Sequence, residues 1–513
     1  MLKYIFTYFM SIINSIVLSV SSKRLKKIDY FRLHPWETQE KLFYSLIKMA
    51  QYTEWGKLYN YTTIKSINDF QQRVPVQEYS AFTYYIDRIR HGEQNILWPT
   101  PIHWFAKSSG TTSSKSKFIP VSKESLQECH YQGMKDLVLL YMQKYQNNKL
   151  SIGKSLTLGG SLQPDESGSG VHYGDLSAIL IKNTPFYAEM KRAPSSKIAT
   201  IPDFETKVQA IAKEVSKQNI VSFSGVPSWN LVLMKQILEY TGKSNLTELW
   251  PNLEVFFHGG ISFTPYREQF KKIIPKNTMH YVETYNASEG FFALQDDETD
   301  SAMLLMLDLG MFFEFIPLSE VGKEFPTALT IADVKIDTNY AVVISTNSGL
   351  WRYLIGDTVM FTSTNPYKIK ITGRTRHFIN AFGEELIIDN AEAALKIAYE
   401  KTGAVVEEYT VAPIFMGDNA KGAHEWLIEF ETQPKDIEEF ANILDIALCS
   451  VNSDYEAKRS KSITLNRLVL HTVPRNTFYE WMRQRGKLGG QHKVPRLFNT
   501  REYVEELKKI ADL

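Results

Sequence analysis

The sequence predicts a mixed α/β protein with two domains, a large one over residues 1–375 and a smaller α+β one over residues 376–513. Its 513 residues are enough for two or three domains with a sizeable core. Short apolar runs typical of strands alternate with segments of helical period along most of the chain, as in α/β folds. The pattern changes at Gly373-Arg374, which we interpret as a hinge between the domains.

Helix caps and apolar runs place the individual elements. An amphipathic helix is expected over residues 36–60, and Ser122 begins another that runs towards residue 145, with Ser125-x-x-Glu128 resembling a capping box. In the small domain we expect one helix from Asp389 to a stop at Gly403, and a second over 437–449. The predicted strands lie at 155–158, 220–223, 254–257, 280–283, 303–307, 312–316, 341–345, 409–412, 426–429 and 468–473.

Composition and charge are those of an ordinary intracellular globular protein. Hydrophobic residues make up 43% of the chain and charged residues 22%. The formal net charge of +1 gives no overall field that attracts nucleic acid, so we expect no nucleic-acid partner. The two cysteines, Cys129 and Cys449, lack the spacing of a metal site, which favours a reduced, cytoplasmic protein.

The N-terminal segment admits two interpretations. Residues 4–20 are largely apolar, and four basic residues follow within 23–27. The apolar run is barely long enough to span a bilayer and carries polar residues at helical spacing, which favours a helix packed on the protein. Membrane contact by residues 1–27 is the alternative.

The segment 105–121 is typical of a loop that holds phosphates. Two short apolar runs flank a stretch of Ser, Thr, Gly and Lys that includes Lys117. Bare backbone at glycine lets N–H groups approach an anion, hydroxyls donate hydrogen bonds, and lysines add positive charge. It is not a Walker A loop, and a flexible surface linker is the alternative. The candidate ATP-binding residues here are Ser108, Ser109, Gly110, Thr111, Thr112 and Lys115.

Two further candidates are strand ends that contain glycine. Gly259-Gly260 follows the predicted strand at 254–257, and such a pair lets a flat ring lie against bare backbone. Asp357 follows Gly356 near another strand, where its carboxylate can accept two ribose hydroxyls. Ordinary turns are the alternative for both.

The segment that follows the predicted strand 280–283 combines an aromatic ring, a hydroxyl and a carboxylate. Tyr285 can stack on a base, and Ser288 can bind a phosphate. Glu289 can help to hold Mg²⁺, which prefers one or two carboxylates together with phosphate oxygens and water. A loop with a helix cap at Ser288 is the alternative.

A basic, glycine-rich loop at 483–496 lies near the C-terminus. Nucleic-acid binding is one interpretation of this loop in isolation, but the neutral chain argues against it. A lysine delivered to a phosphate or a carboxylate fits the loop as well.

The order of these motifs is more informative than any one of them. It is the order found in adenylate-forming enzymes, and the chain most closely resembles the Gretchen Hagen 3 family of acyl acid amido synthetases, named for auxin-responsive genes. The resemblance covers nearly the whole chain. It rests on Ser108-Ser109-Gly110-Thr111-Thr112, Tyr285-Asn286-Ala287-Ser288-Glu289, Tyr353-Leu354-Ile355-Gly356-Asp357 and Gln491-His492-Lys493-Val494-Pro495-Arg496.

The resemblance implies a large mixed α/β N-terminal domain of the adenylate-forming type and a smaller, mobile α+β C-terminal domain. It also implies ATP and Mg²⁺, with a small-molecule carboxylic acid and an amine, an amino acid in this family, as substrates. The implied roles are adenine stacking by Tyr285, ribose binding by Asp357 and Arg374, phosphate contacts by Ser109, Thr111, Thr112 and Ser288, metal assistance by Glu289, and catalysis by Lys493.

The implied reaction has two steps, formation of an acyl-adenylate with release of pyrophosphate and then transfer of the acyl group to the amine with release of AMP. An acyl-CoA ligase that shares the first step is one alternative, and a non-catalytic ATP-binding homologue is another. Thr375-Arg376 stands where the acyl-CoA ligase branch typically has Asp or Lys, which favours the amido synthetase branch. The sequence names neither the acid, the amine, the substrate-pocket residues, the general base nor the oligomeric state.

Overall fold

The computed structural model describes residues 14–108, 117–163, 170–201, 203–263, 266–375, 378–384, 386–417, 420–460, 464–485 and 494–513. Residues 14–20 are helical. The further helices are α1 Ser22–Leu33, α2 Pro35–Ala50, α3 Glu54–Leu58, α4 Ile67–Arg73, α5 Thr83–Arg90, α6 Tyr131–Lys144, α7 Leu176–Lys182, α8 Phe186–Glu189, α9 Ser196–Ala199, α10 Phe204–Val215, α11 Pro227–Thr241, α12 Leu246–Leu249, α13 Arg267–Ile273, α14 Ile388–Thr402, α15 Ile437–Val451, α16 Ser453–Arg459, α17 Thr477–Gln484 and α18 Glu502–Ile510.

The strands form four sheets. They are β1 Trp104–Ser108, β2 Lys117–Val121, β3 Lys154–Thr157, β4 Leu162–Gln163, β5 His172–Gly174, β6 Arg192–Ala193, β7 Ile220–Gly225, β8 Val255–Gly259, β9 His280–Ala287, β10 Gly290–Leu294, β11 Met303–Leu305, β12 Met311–Pro317, β13 Asn339–Thr346, β14 Tyr353–Thr364, β15 Tyr367–Arg374, β16 Phe378–Ile379, β17 Leu386–Ile387, β18 Val405–Ile414, β19 Ala423–Thr432 and β20 Val469–Val473.

The main sheet has eleven strands in the order β12-β13-β14-β15-β11-β10-β9-β8-β7-β3-β6. Strands β6, β3, β7, β8 and β9 pair in parallel, and the rest of the sheet is antiparallel. A second sheet, β2-β1-β5-β4, carries the start and the end of the predicted phosphate loop on the antiparallel pair β1 and β2. The part of the chain predicted to form the small domain, for which we keep that name, contains the two-stranded sheet β16-β17 and the three-stranded sheet β18-β19-β20.

The main sheet separates two hydrophobic cores. In β8, Phe257 belongs to one core and Phe256 to the other, because successive side chains of a strand point to opposite faces. The second core continues into the small domain, where it includes Ile379 and Trp426. Tyr266 of the large domain also donates a hydrogen bond to the carbonyl of Ala381, at 2.5 Å. The small domain therefore packs directly on one face of the main sheet.

Every predicted strand segment overlaps a strand of the structure. The stop at Gly403 is confirmed, since this residue caps α14 in the left-handed conformation that favours glycine. Ser122 also caps as predicted, because its Oγ accepts a hydrogen bond from the N–H of Ser125 at 2.9 Å. The capping box at Ser125-x-x-Glu128 was wrong, because Ser125–His130 forms a π-helical turn inside the helix rather than its beginning.

The first described residues are anchored to the body of the protein. Asn14 is buried, and Arg24 of α1 forms ion pairs with Asp136 of α6 and with Asp308. None of the helices in the described ranges combines the length and the apolar character that a bilayer span requires.

Candidate active site

Four of the predicted site segments converge at strand ends of the main sheet. Tyr285 lies in β9 and Asp357 in β14, and three strands separate these two in the sheet. Even so, the hydroxyl of Tyr285 lies 2.5 Å from Oδ2 of Asp357, so the sheet must curve strongly between them. Arg374, the last residue of β15, lies directly opposite Asp357 in the register of the β14-β15 hairpin.

Asp357 is the centre of a buried polar network. Its Oδ1 accepts a hydrogen bond from Nε of Arg374 at 2.8 Å, and its Oδ2 accepts one from Tyr285. The ring of Tyr285 stacks on Phe292, with 4.4 Å between the ring centres and 17° between the planes. Burial, and then the charge of Asp357, raises the pKa of Tyr285 well above its usual value, so its hydroxyl remains a donor.

Glycines give the strand ends the shape that this network needs. Gly356 and Gly373 precede Asp357 and Arg374, and both have positive φ, at 96° and 148°. Gly259, at the end of β8, allows the close approach of the neighbouring strand, since a Cβ there would lie 2.3 Å from the carbonyl oxygen of Thr284. Gly260 follows with φ of 84°. The two glycines leave bare backbone beside the end of β9.

Glu289 sits at the tip of the hairpin between β9 and β10. Ala287 and Gly290 pair as the last ladder residues, so Ser288 and Glu289 form the two-residue turn. Glu289 is buried, with 8% of its surface exposed. Burial raises its pKa to about 7, although the charge of Lys117 acts in the opposite direction. Because burial disfavours the charged form of a carboxylate, a further cation next to Glu289 would stabilise that form.

Among the described residues, Lys117 is the positive charge that acts most strongly on this carboxylate. It opens β2 opposite Ser108, the last residue of β1, so the predicted phosphate loop begins and ends beside it. Its Nζ is buried and donates to the hydroxyl of Tyr353, at 3.2 Å. The sequence offered Lys117 only as one of two loop lysines, and the structure shows it next to Glu289 and the start of β14.

Sequence reasoning missed Cys129 and His130. Both lie in the π-helical turn before α6, and such turns often occur at functional sites. Sγ of Cys129 accepts a hydrogen bond from the N–H of Phe291 at 3.2 Å, and Nδ1 of His130 lies 3.3 Å from Oδ1 of Asn286. Because Asn286 and Phe291 are register partners, the turn holds both strands of the Glu289 hairpin.

His130 is neutral in this position. Burial lowers its pKa to about 4, and its Nε2 has no hydrogen-bond partner. Its Nδ1 is therefore the donor to Asn286, which leaves the amide nitrogen of Asn286 available on its other side. The sequence carried no clear signal for Cys129 and His130, because an adjacent Cys-His pair matches no recognised motif. The π-helical turn that contains them is visible only in the structure.

Some predicted residues lie outside the described part of the chain. These are Ser109, Gly110, Thr111, Thr112, Lys115 and Lys493. The chain beyond Lys493 is fixed on the small domain, where the carbonyl of Pro495 accepts a hydrogen bond from Thr410 at 2.8 Å and the N–H of Val411 donates to the carbonyl of Arg496, also at 2.8 Å. Lys493 thus stands two residues before a well-anchored point at the edge of β18.

The residues present fit a magnesium ion shared with phosphate oxygens. Within the described residues, no group of three or more His, Cys, Asp or Glu side chains could hold a metal without other ligands. Mg²⁺ bound with a nucleotide commonly takes only one or two protein carboxylates, with phosphate oxygens and water completing its octahedron. Glu289 provides such a carboxylate, and because burial raises its pKa, a cation bound beside it would favour its charged form.

Comparison with solved structures identifies the class of fold. The GH3.15 acyl acid amido synthetase superposes with a TM-score of 0.59 and 19% identity, covering 96% of this chain and 95% of its own. A 2-hydroxyisobutyryl-CoA ligase, solved with 2-HIB-AMP and CoA, superposes with a TM-score of 0.56 and 14% identity, covering 93% of each chain. The predicted fold of the adenylate-forming type is therefore confirmed.

Family models identify the chain more closely. The GH3 family N-terminal domain matches residues 24–279, the central domain residues 304–374 and the C-terminal domain residues 389–502. The chain belongs to the GH3 family, as its motifs predicted.

Curated relatives carry the names of amido synthetases. Indole-3-acetic acid-amido synthetase GH3.4 of Arabidopsis thaliana is 22% identical over 92% of this chain and 91% of its own length. Jasmonoyl-L-amino acid synthetase GH3.5 of Oryza sativa subsp. japonica is 24% identical over 84% of this chain and 86% of its own length. The predicted enzyme class, a ligase that joins an acid to an amino acid, is the class for which these relatives are named.

Proposed function

We propose that the protein is an ATP-dependent acyl acid amido synthetase. A carboxylate oxygen of the acid attacks the α-phosphorus of ATP, and pyrophosphate leaves. The nitrogen of an amine, which we take to be an amino acid, then attacks the acyl carbon, loses a proton and expels AMP. The observation that supports this most strongly is the meeting of Tyr285, Asp357 and Arg374 in one network beside the Glu289 hairpin, in a chain of the GH3 family.

The nucleoside of ATP is assigned to the Asp357 network. The carboxylate of Asp357 retains lone pairs after it has accepted from Tyr285 and Arg374, and these can accept the ribose hydroxyls. One face of the Tyr285 ring is covered by Phe292, and we assign adenine to a place against the ring and the bare backbone of Gly259-Gly260. The phosphates follow towards Ser288 and the loop that starts at Ser108.

The first half-reaction brings two anions together, so it depends on positive charge. Mg²⁺, when bound, neutralises phosphate charge, and Glu289 is the residue proposed to hold it. Lys117 lies beside this carboxylate and keeps it from being an isolated buried anion. We assign Lys493, delivered by the small domain, as the catalytic lysine at the reacting groups. The protein's contribution is then mainly positioning and preorganised charge.

Acceptor choice separates this proposal from its alternatives. An acyl-CoA ligase would perform the same first step, and a non-catalytic homologue would bind ATP without turnover. The names of the curated relatives favour an amine acceptor. We further propose that the substrates are small molecules, that nucleic acid is not a partner, and that the protein works in the cytoplasm.

The experiment that tests the function is pyrophosphate release from ATP and Mg²⁺ with a panel of carboxylic acids, with and without amino acids, and with CoA in parallel. We expect one class of acid to stimulate release, and an amino acid to raise AMP turnover and yield an amide. Faster turnover with CoA and a thioester product would transfer the chain to the ligase alternative. ATP binding without release across the panel would favour the non-catalytic homologue.

A further inference from the structure

The helical residues 14–20 bury a polar side chain and expose apolar ones, the reverse of a helix that packs by its apolar face. The side chain of Asn14 is buried, and its amide donates to the carbonyls of Gln146 at 2.9 Å and Asn148 at 3.0 Å. Ile16 and Val20, in contrast, are 57% and 80% exposed. In water this arrangement leaves apolar surface unburied, which a helix of a soluble protein normally avoids.

These apolar residues are followed by basic ones along the chain. Ile16 and Val20 are one turn apart on the helical residues 14–20, and Lys23, Lys27 and Tyr30 share one side of α1, which begins after the turn at Ser21. All five are exposed. We call this set the interfacial stripe. Apolar residues, lysines that can extend towards headgroups and a tyrosine are the residue types that suit a membrane–water interface.

Positive charge predominates in this part of the chain. Residues 1–28 contain five basic residues and no Asp or Glu, although the whole chain has a net charge of only +1. Arg24 is tied inward, to Asp136 and Asp308. The lysines of the interfacial stripe present a net positive charge to the outside, with Asp29 exposed beside them and the hydroxyl of Tyr30 donating to Glu37 at 2.7 Å.

The same ion pairs attach the stripe firmly to the large domain. Arg24 makes four hydrogen bonds to Asp136 and Asp308, and Arg32 reaches Asp296 at 3.0 Å. Ile28 and Phe31, on the inner side of α1, are buried in the core. A contact made by the stripe would thus hold the whole large domain, and not a loose tail.

We propose that the interfacial stripe docks the protein on the surface of an anionic lipid membrane. Apolar burial and attraction of lysines to anionic headgroups act together on such a helix. A second copy of this chain fits the stripe less well, because a two-fold contact centred on the stripe would bring Lys23 of one copy against Lys23 of the other.

Vesicle co-sedimentation of the full-length protein tests this inference. The vesicles are phosphatidylcholine alone or mixed with phosphatidylglycerol, at low and high salt. We expect the wild type to sediment with the anionic vesicles and salt to weaken the binding. Each of Lys23→Gln and Lys27→Gln should weaken it about fivefold, and the double variant Ile16→Glu/Val20→Glu should abolish it.

Matched controls distinguish binding by this surface from nonspecific binding to vesicles. Ile446→Glu changes another exposed apolar residue, 67% exposed on α15, and Lys396→Gln changes another exposed lysine. Both should bind vesicles as the wild type does. All variants should keep the wild-type unfolding temperature and pyrophosphate-release rate, since the changed side chains are exposed and none belongs to the assigned site.

Two results would overturn the proposal. One is a wild type that stays in the supernatant with anionic vesicles. The other is binding by Ile16→Glu/Val20→Glu at the wild-type level. If light scattering instead finds a dimer that this double variant dissociates, and no vesicle binding, the stripe is an interface between copies. None of these outcomes depends on turnover, so they do not test the proposed reaction.

Discussion

Asp357→Asn is the most direct test of the nucleotide site. The change preserves the shape of the side chain but removes its negative charge and turns one acceptor oxygen into a donor. In the structure both carboxylate oxygens are already engaged, one with Arg374 at 2.8 Å and one with Tyr285 at 2.5 Å. The variant therefore loses the acceptor for ribose together with the charge that orients its two protein partners.

The magnitude follows from hydrogen bonds to a charged group in a site with little solvent. The side chains of Asp357 and Arg374 are only 12% and 17% exposed, so solvent screening is modest. One such hydrogen bond contributes about 1.5–3 kcal/mol, which corresponds to about 10–150-fold in affinity. Because ribose keeps the same contacts while the acyl-adenylate forms, the loss should appear in KM for ATP and leave kcat within a few-fold.

The assay is pyrophosphate release against ATP concentration, at saturating acid and Mg²⁺. Asp445→Asn is a matched control, because Asp445 is also buried and paired with an arginine, Arg459, but lies in the small domain. We expect the control to lower the unfolding temperature and keep KM for ATP. An unchanged KM in Asp357→Asn, or a fall in kcat alone, would refute the assignment of Asp357 to ribose.

Four further predictions concern the other parts of the site. Lys493→Ala should slow adenylate formation by about 10²–10³-fold, the loss expected for one preorganised charge, and unchanged acid-dependent pyrophosphate release would remove this lysine from the mechanism. Glu289→Ala should raise the Mg²⁺ concentration for half-maximal rate about tenfold or more, whereas a titration that overlays the wild type would remove the metal role. His130→Phe removes both a buried nitrogen that lacks a partner and the hydrogen bond to Asn286, so the free energy of unfolding should change by less than about 1 kcal/mol. We expect kcat/KM for ATP to fall about 2–10-fold. A large loss of stability with full activity in the remaining folded protein would contradict this. Burial, and then the charge of Arg267, lowers the pKa of His258 from 6.5 to about 3. Below pH 6.5 the unfolded state therefore binds a proton that the folded state does not, and stability falls as the pH drops from 6.5 towards 3. In His258→Phe the loss of unfolding free energy between pH 7 and pH 5, measured in urea, should be about 2 kcal/mol smaller than in the wild type.

The pairing of Asp357 with Arg374 could have been predicted more fully from the sequence. Asn365 lies eight residues after Asp357, and Pro366 lies eight residues before Arg374. A hairpin closed at this turn places the two side chains opposite each other, as the register of β14 and β15 has it. Asn-Pro is a recognised turn signal, so the information was local.

The contact between Tyr285 and Asp357, in contrast, could not have been predicted from local sequence. They lie 72 residues apart on strands that are not neighbours in the sheet, and no spacing rule connects them. Their distance depends on the curvature of the whole sheet, which arises from the twist of every strand and from the bulges between them. The hold of Cys129 and His130 on the Glu289 hairpin depends likewise on how α6 packs.

The sequence by itself determined the strands, the family and the residue types that a nucleotide site requires, because apolar period, glycine position and motif order are properties of neighbouring residues. Only the tertiary structure decided which charges meet. The charge of Lys117 acts on the buried carboxylate of Glu289, and Asn14 is buried while Ile16 and Val20 are exposed. The physical reason is that charge, burial and desolvation depend on distances in space, which are set by packing between segments far apart in the chain.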